Sequence, residues 1–266
     1  MVRENKVKQK LKNGEAVIGT FVKTVDPSVI EILGCSGMEF FVIDSEHVSY
    51  NPETITDLVR ASDLTGIVPI VRVREATAVN IMQALDTGAL GYHAPNVDTP
   101  EQARIAVDAG RYTPLGNRGF APTHRAANYG MMDKQEYIDK ANKEILTIIH
   151  CETMESLGNL DEILKLEELD VVFIGPMDLS QSLGRDVMGQ RNHPRLLEAI
   201  DQIIEKVNKA GKAVGTVADN AQMAKELMEK GVRYIPISSD QGMIGNMAKN
   251  IVKAVSYTHL TLPTNR

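Results

Sequence analysis

The sequence predicts an α/β fold, a single (β/α)8 barrel. Short β-branched runs alternate with helical patterns eight times along the chain, which is typical of repeated βα units and a parallel sheet. A length of 266 residues with 43% apolar residues is sufficient for one large core. Acidic and basic side chains recur at the ends of the predicted strands, where barrels of this kind carry their functional groups.

The eight predicted strands are short apolar runs bounded by turn residues. They span residues 16–22, 39–44, 67–73, 89–93, 145–152, 170–175, 212–217 and 232–238. Helical spacing is clearest after the sixth strand, where apolar residues recur from Leu196 to Val207 and Gly211 follows as a stop. A second helix is predicted over 100–109, because a proline opens it and Gly110 ends it. We expect both helices to pack on the outside of the sheet.

One domain, residues 1–255, accounts for all the repeats. Residues 256–266 do not continue the helical spacing that precedes them, and we interpret them as a non-native tail. The connection 112–133 is too long for an ordinary loop of a compact domain. It contains several basic side chains, and we favour a subunit contact over a catalytic lid.

Composition and charge favour a small-molecule substrate over nucleic acid or membrane. The net charge is −6, and the single basic cluster near the N-terminus is weak support for anionic partners. Cys35 and Cys151 are too few and too far apart for a disulfide framework or a cysteine-rich metal site. No apolar run approaches the ~20 residues of a membrane span, and the N-terminus lacks an apolar signal segment. We therefore expect a cytoplasmic protein.

Two carboxylates end consecutive predicted strands. Glu152 is the last residue of the fifth predicted strand, and Asp178 follows the sixth, 26 positions later. Side chains at the exits of neighbouring barrel strands converge on one mouth, and hard oxygen ligands suit Mg²⁺, Mn²⁺ or Co²⁺. The alternative is that each residue caps the helix that follows it. Because the two occur together, with Gly175 in a tight turn beside them, we favour a metal site.

Candidate catalytic groups come from the second and third strands. His47 is a candidate general base, and Asp44 could orient its imidazole ring. Arg72 would bring a fixed cation to the same mouth. Alternation along the fifth strand places His150 on the face of Glu152, whereas Cys151 points toward the helices and is expected to be a packing residue.

Several segments, in order along the chain, are similar to the metal-dependent (class II) pyruvate aldolases typified by 4-hydroxy-2-oxo-heptanedioate aldolase and 5-keto-4-deoxy-glucarate aldolase. The matching segments are Val42-Ile-Asp-Ser-Glu-His47, Ile70-Val-Arg72, Leu85-Asp-Thr-Gly88, Arg111-Tyr-Thr-Pro-Leu-Gly-Asn-Arg-Gly119, Cys151-Glu-Thr153, Phe173-Ile-Gly-Pro-Met-Asp-Leu-Ser180 and Ser239-Asp240. One departure is His150, where the common family pattern has Gln.

The resemblance implies a (β/α)8 aldolase that cleaves a 4-hydroxy-2-oxo acid reversibly to pyruvate and an aldehyde with a divalent metal. It also implies a homo-oligomer, a hexamer or trimer. The roles it implies are listed by position: His47 as base, Asp44 as its partner, Arg72 as the group that holds the keto oxygen, Glu152 and Asp178 as metal ligands, Gly175 and Met177 as backbone amides for the pyruvate carboxylate, His150 facing the substrate, and Asp86 reaching a neighbouring subunit's site.

Four alternatives remain open at the level of sequence. Lys23, just past the first strand, could form a Schiff base in place of the metal. The small residues near Gly215 and over 238–242 could bind phosphate, as barrel loops after strands 7 and 8 often do. The chain could also be an acyl-CoA hydroxy-acid lyase, or a catalytically silent barrel that acts as a binding protein.

Overall fold

The computed structural model describes residues 2–258, which contain a closed barrel of eight parallel strands. Each strand pairs with the next in chain order, and the last strand pairs with the first. The strands are β1 (Val17–Val22), β2 (Phe40–Asp44), β3 (Val68–Arg72), β4 (Gly91–Ala94), β5 (Leu146–Cys151), β6 (Val171–Ile174), β7 (Ala213–Thr216) and β8 (Tyr234–Ser239). The predicted fold class is confirmed, and the predicted strand boundaries lie within about two residues of the observed ones.

Helices connect the strands around the outside of the barrel. Those in the described part of the chain are α1 (Lys6–Lys12), α2 (Pro27–Cys35), α3 (Pro52–Thr65), α4 (Ala78–Asp86), α5 (Pro100–Ala109), α6 (Lys134–Glu144), α7 (Met154–Ile163), α8 (Pro176–Ser182), α9 (Pro194–Lys209), α10 (Ala221–Glu229) and α11 (Asp240–Thr258). The predicted helix over 100–109 is confirmed as α5, and Thr99 caps it through reciprocal hydrogen bonds with Gln102. The helix predicted after the sixth strand is α9, and Gly211 follows it with a φ of 71°.

Side chains alternate between the barrel interior and the layer beneath the helices. Phe40 and Val42 of β2 belong to the inner apolar cluster, whereas Phe41 and Ile43 belong to the outer one. Asp44, at the end of β2, lies two residues beyond Val42 and points to the same side, so its carboxylate faces the barrel interior. The same alternation applies to the other strands and determines which polar groups meet at the carboxyl-terminal end.

The amino-terminal end of the barrel is closed by α1. Val7 packs into the inner apolar cluster. The Lys8 ammonium group donates hydrogen bonds to the Ile145 carbonyl oxygen at 2.6 Å and to Asp170 at 2.9 Å. Burial is the main cause that lowers the pKa of Lys8 to about 8, although Asp170 opposes this shift. Polar groups inside the barrel are therefore reached from the carboxyl-terminal end.

The long connection 112–133 packs on the outer side of the barrel. The guanidinium of Arg125 donates a hydrogen bond to the Thr87 carbonyl oxygen at 2.8 Å and forms an ion pair with Asp63 of α3. A 3₁₀ segment, Arg125–Gly130, lies within it. The connection is thus anchored to α3 and the end of α4 rather than to the barrel mouth.

The final helix, α11, continues to Thr258, three residues past the predicted end of the domain at 255. The predicted non-native tail begins at 256, and residues 259–266 lie outside the described residues. Over the part of the chain that the structure describes, no helix combines the length and the hydropathy needed to span a membrane.

Candidate active site

A cavity of about 350 Å³ opens at the carboxyl-terminal end of the barrel. It is lined by all but one of the residues predicted for the site: Asp44, His47, Arg72, His150, Glu152, Gly175, Met177 and Asp178. They come from the ends of β2, β3 and β5, from the turns after β2 and β6, and from the first turn of α8. The predicted convergence of these side chains on one mouth is therefore observed.

The alternative interpretation of Glu152 and Asp178 as helix caps is wrong. The cap of α7 is Thr153, whose hydroxyl accepts a hydrogen bond from the Ser156 N–H at 3.0 Å. The cap of α8 is Gly175, which has no side chain to accept one. Since other residues take the capping positions, both carboxylates are free to face the cavity.

Glu152 is a buried carboxylate that is ionised at neutral pH. Its Oε1 atom accepts a hydrogen bond from the Asn96 N–H at 2.7 Å, and its Oε2 atom lies 2.9 Å from Nδ1 of His150. Burial opposes ionisation. However, the interactions with His150, the Asn96 N–H and the charge of Arg72 outweigh it and lower the pKa of Glu152 to about 2.

Asn96, which the sequence interpretation missed, aims its backbone N–H at Glu152 from a left-handed conformation. Its φ is 55°, in the region that non-glycine residues rarely adopt and that asparagine tolerates best. Asn96 lies in the loop after β4, and its left-handed conformation could not be recognised from residue type alone. It provides one of the two hydrogen bonds that hold the Glu152 carboxylate.

Asp178 and Gly175 complete the acidic side of the cavity. Asp178 lies exposed in the first turn of α8, and its carboxylate accepts no hydrogen bond from residues 2–258. Gly175 lies so close to Glu152 that a Cβ atom there would be 2.6 Å from Oε2. The turn between β6 and α8 therefore packs directly on the Glu152 carboxylate, which requires glycine at this position.

The two carboxylates fit a hard divalent cation. One is ionised and fixed, the other is unpaired, and both supply oxygen donors. Within residues 2–258 there is no group of three or more His, Cys, Asp or Glu side chains that could hold a metal. The protein would thus provide two ligands, as the sequence predicts, and leave the remaining coordination positions to water and substrate.

Arg72 is fixed by two carboxylates. Its Nε and Nη2 atoms lie 2.9 Å and 2.7 Å from the same oxygen, Oδ1 of Asp44, and its Nη1 atom lies 3.1 Å from Glu46. The guanidinium also lies over the Phe21 ring, 4.9 Å from the centroid. Burial raises the pKa of Asp44, but the charge and hydrogen bonds of Arg72 outweigh burial and hold that pKa below its usual range.

His47 differs from its predicted arrangement. Asp44 accepts a hydrogen bond from the backbone N–H of His47 at 3.2 Å and does not contact its imidazole ring. The expectation that Asp44 orients the ring is therefore wrong, because Asp44 faces into the barrel at the end of β2 while His47 lies in the following turn. The ring is 56% exposed, and its Nε2 atom lies 3.9 Å from Glu46.

The cavity is also lined by Arg191, which the sequence analysis missed, and by Ser238 and Lys23, which it considered only for phosphate binding and for a Schiff base. Arg191, in the segment after α8, forms an ion pair with Asp219 at 2.7 Å. Ser238 has a φ of 56° at the end of β8. Lys23, considered above only for a Schiff base, lies 3.3 Å from Oδ2 of Asp44. Schiff-base lysines are activated by an apolar pocket or a neighbouring cation, whereas Lys23 lies beside a carboxylate.

Asp86 is the one predicted site residue that does not line the cavity. It lies at the end of α4, where it pairs with Arg118 at 2.6 Å and lies 3.3 Å from His124. No residue of 112–133 lines the cavity either, so this connection is not a lid over the site of its own chain. The Arg118 guanidinium is buried, and two of its nitrogens have no hydrogen-bond partner within the described residues.

Sequence comparison identifies the family of this barrel and the class of enzyme to which it belongs. Residues 17–246 match the model of the HpcH/HpaI aldolase/citrate lyase family. The chain belongs to this family and is a carbon–carbon lyase of the aldolase type. Metal dependence is typical of the aldolases of this family.

Named relatives cover almost the whole chain. A 2-dehydro-3,6-dideoxy-6-sulfogluconate aldolase of Pseudomonas putida is 34% identical over 92% of this chain and 94% of its own. A 2-keto-3-deoxy-L-rhamnonate aldolase of Salmonella gallinarum is 37% identical over 89% of this chain and 87% of its own. A solved structure of a family member from Burkholderia cenocepacia J2315 has a TM-score of 0.89 with 29% identity, covering 95% of this chain and 99% of its own.

Proposed function

We propose that this enzyme cleaves a 4-hydroxy-2-oxo acid reversibly to pyruvate and an aldehyde, with a divalent cation held by Glu152 and Asp178. The observation that carries the proposal is that a fixed guanidinium, Arg72, lines the same cavity as an ionised and an unpaired carboxylate. Mg²⁺, Mn²⁺ or Co²⁺ bound there would act as a Lewis acid toward the keto and carboxylate oxygens of the substrate.

The residues that line the cavity would carry out the proton transfers and bind the substrate. His47 takes the proton of the substrate 4-hydroxyl, the C3–C4 bond breaks, the aldehyde leaves, and the electron pair stays on the pyruvate fragment as an enolate. Arg72 donates hydrogen bonds to the enolate oxygen as its charge develops. His47, which exchanges its proton with solvent, then gives a proton to C3 and so yields the methyl group of pyruvate. The backbone amides at Gly175 and Met177, at the start of α8, are proposed to bind the pyruvate carboxylate.

Proton exchange tests this function without knowledge of the aldehyde. The purified enzyme is incubated with pyruvate and Mn²⁺ or Mg²⁺ in D₂O, and loss of the methyl proton signal is followed by NMR. We expect exchange that chelation stops and that Glu152→Ala abolishes. Absence of exchange in a folded, metal-loaded enzyme would contradict the proposal and favour an acyl-CoA lyase or a silent binding barrel.

We propose a 2-keto-3-deoxy sugar acid as the class of substrate. Two relatives are named for acids of this class. The rim of the cavity carries polar groups from Arg191, Asp219 and the serines at 238 and 239, which could bind the hydroxyl groups of the aldehyde. In the synthetic direction, lactaldehyde should be a better acceptor than propanal at equal concentration. A preference for propanal would contradict this assignment.

We propose a homo-oligomer, a hexamer or trimer, in which Asp86 approaches the site of a neighbouring subunit. Asp86 and Arg118 lie outside the cavity of their own chain. Apolar side chains of α11 are exposed in the isolated chain, including Ile244, Met247 and Ile251. Such a stripe is typical of an association surface. Sedimentation analysis should give a mass of three or six chains, and a monomer would contradict this.

We also propose a cytoplasmic location, in agreement with two free cysteines among the described residues.

A further inference from the structure

A hydrogen-bonded chain runs from the barrel interior to Glu152. The Tyr234 hydroxyl lies 2.9 Å from Nε2 of His93, and Nδ1 of His93 lies 2.9 Å from Nε2 of His150. Nδ1 of His150 lies 2.9 Å from Oε2 of Glu152. The four residues come from β8, β4, β5 and the end of β5, and all of them are buried. We call this set the Tyr234–Glu152 chain.

The Tyr234 end fixes the direction of every hydrogen bond. The Tyr234 hydroxyl has no acceptor within residues 2–258 other than His93, so it must donate to Nε2 of that ring. An imidazole that accepts through one ring nitrogen carries its proton on the other, so Nδ1 of His93 donates to Nε2 of His150. By the same rule Nδ1 of His150 carries the proton that is directed at Oε2 of Glu152. His93 and His150 therefore both carry their proton on Nδ1.

The neutral state of His93 follows from its surroundings. Burial lowers the pKa of His93 well below its usual value, and the charge of Arg72 acts in the same direction. Reversing the bond between the two rings would direct an N–H of His93 at the Tyr234 hydroxyl. The tyrosine proton would then have no partner in a buried site, which is costly.

Aromatic side chains exclude water from the chain. The Phe173 ring lies 4.9 Å from the His150 ring and 5.0 Å from the His93 ring, measured between centroids. Phe40 stacks on Tyr234 at 4.2 Å. Because water cannot replace a lost partner here, each member depends on the next for its hydrogen bond.

We propose that Tyr234 and His93 are positioning residues that fix the tautomer of His150 and thereby the orientation of the Glu152 carboxylate toward the cavity. This inference rests on the proposed role of Glu152 as a metal ligand. A carboxylate that receives an N–H on Oε2 from His150 and another on Oε1 from Asn96 cannot rotate, so its remaining lone pairs keep one direction. Tyr234 itself does not line the cavity.

The tautomers can be read directly in the metal-free enzyme. With ¹⁵N-labelled histidine, long-range ¹H–¹⁵N spectra distinguish Nδ1–H from Nε2–H rings, and spectra of the His93 variants below assign the signals. We expect Nδ1–H for both His93 and His150. In Tyr234→Phe, which removes one hydroxyl, we expect the ring of His93 to become a mixture of tautomers. An Nε2–H or doubly protonated His150 in the unaltered enzyme would overturn the proposal without any variant.

Metal affinity provides the second measurement. Mn²⁺ binding, followed by electron paramagnetic resonance, should weaken by about tenfold or more in Tyr234→Phe, the usual effect of losing such an outer partner. His93→Asn keeps an N–H donor near the position of Nδ1, whereas His93→Leu removes it. We expect affinity within about threefold of the unaltered enzyme for the asparagine variant and a loss of about tenfold for the leucine variant.

Tyr92→Phe is the matched control. Tyr92 is an equally buried tyrosine whose hydroxyl donates to the Ala106 carbonyl oxygen at 2.8 Å, on the helix side of the sheet. It should change neither Mn²⁺ affinity nor the histidine spectra. Equal Mn²⁺ affinity in Tyr234→Phe and Tyr92→Phe would overturn the proposal. If the expected tautomers and affinities are found but pyruvate protons do not exchange, the proposed reaction fails while the positioning role stands.

Discussion

The guanidinium of Arg72 directs two N–H groups at a single oxygen of Asp44, at 2.9 Å and 2.7 Å. The second carboxylate oxygen, Oδ2, is buried and accepts no hydrogen bond from the described residues. It lies 3.3 Å from the Lys23 ammonium group. Asp44 therefore acts on the cavity by fixing the position of a cation, and its contact with His47 is limited to the backbone N–H.

Asp44→Asn should lower the rate of pyruvate proton exchange by about 10²-fold, because Arg72 loses the charge that fixes its position. Glu46→Gln is the comparison, since Glu46 contacts the same guanidinium through one nitrogen at 3.1 Å. We expect a smaller loss for that variant. Equal rates for Asp44→Asn and the unaltered enzyme would remove Asp44 from the site.

His47→Ala should lower the exchange rate by about 10² to 10⁴, the usual contribution of a general base. The His47 ring does not contact Glu152 or Asp178, so Mn²⁺ affinity should stay unchanged. Both quantities are measured on the same preparation. If affinity falls together with the rate, His47 acts through the metal site rather than as a base.

Gly175→Ala should weaken Mn²⁺ binding, because the added Cβ would lie 2.6 Å from Oε2 of Glu152 and displace the carboxylate. Gly158→Ala in α7 is the matched control, since nothing lies within 4 Å of a Cβ there. The control should keep full affinity and gain about 0.5–1 kcal/mol in the free energy of unfolding, as alanine favours a helix interior over glycine. Unchanged Mn²⁺ affinity in Gly175→Ala would show that the turn can move away.

The two cysteines should differ in their reaction with a thiol reagent such as Ellman's reagent. Cys35 is exposed at the end of α2, whereas Cys151 is buried and burial raises the pKa of its thiol to about 11. At pH 8 the native protein should release one equivalent of thionitrobenzoate rapidly, and the unfolded protein two. Rapid release of two equivalents without unfolding would contradict the packing role predicted for Cys151.

The alternation of side chains along the strands explains which parts of the site could be predicted from the sequence. Asp44 and Arg72 end adjacent parallel strands and share one register position, so strand assignment alone brings them together. His150 and Glu152 follow from the same rule. The partners of these groups could not be predicted, because they depend on backbone conformation and on long-range packing. Asn96 adopts its left-handed conformation only in the folded loop, and His93 and Tyr234 are 141 positions apart.

The closure of the barrel by α1 has a consequence for the order of events in turnover. Since Val7 and Lys8 seal the amino-terminal end, both products must leave through one opening. In the proposed reaction pyruvate would bind at Arg72, whose side chain is 11% exposed, and the aldehyde nearer the rim at Arg191, whose side chain is 35% exposed. The aldehyde then departs first and pyruvate last, and in synthesis pyruvate must enter before its partner. A barrel sealed at one end thereby imposes a fixed order of substrate binding and product release on a reaction between two small molecules.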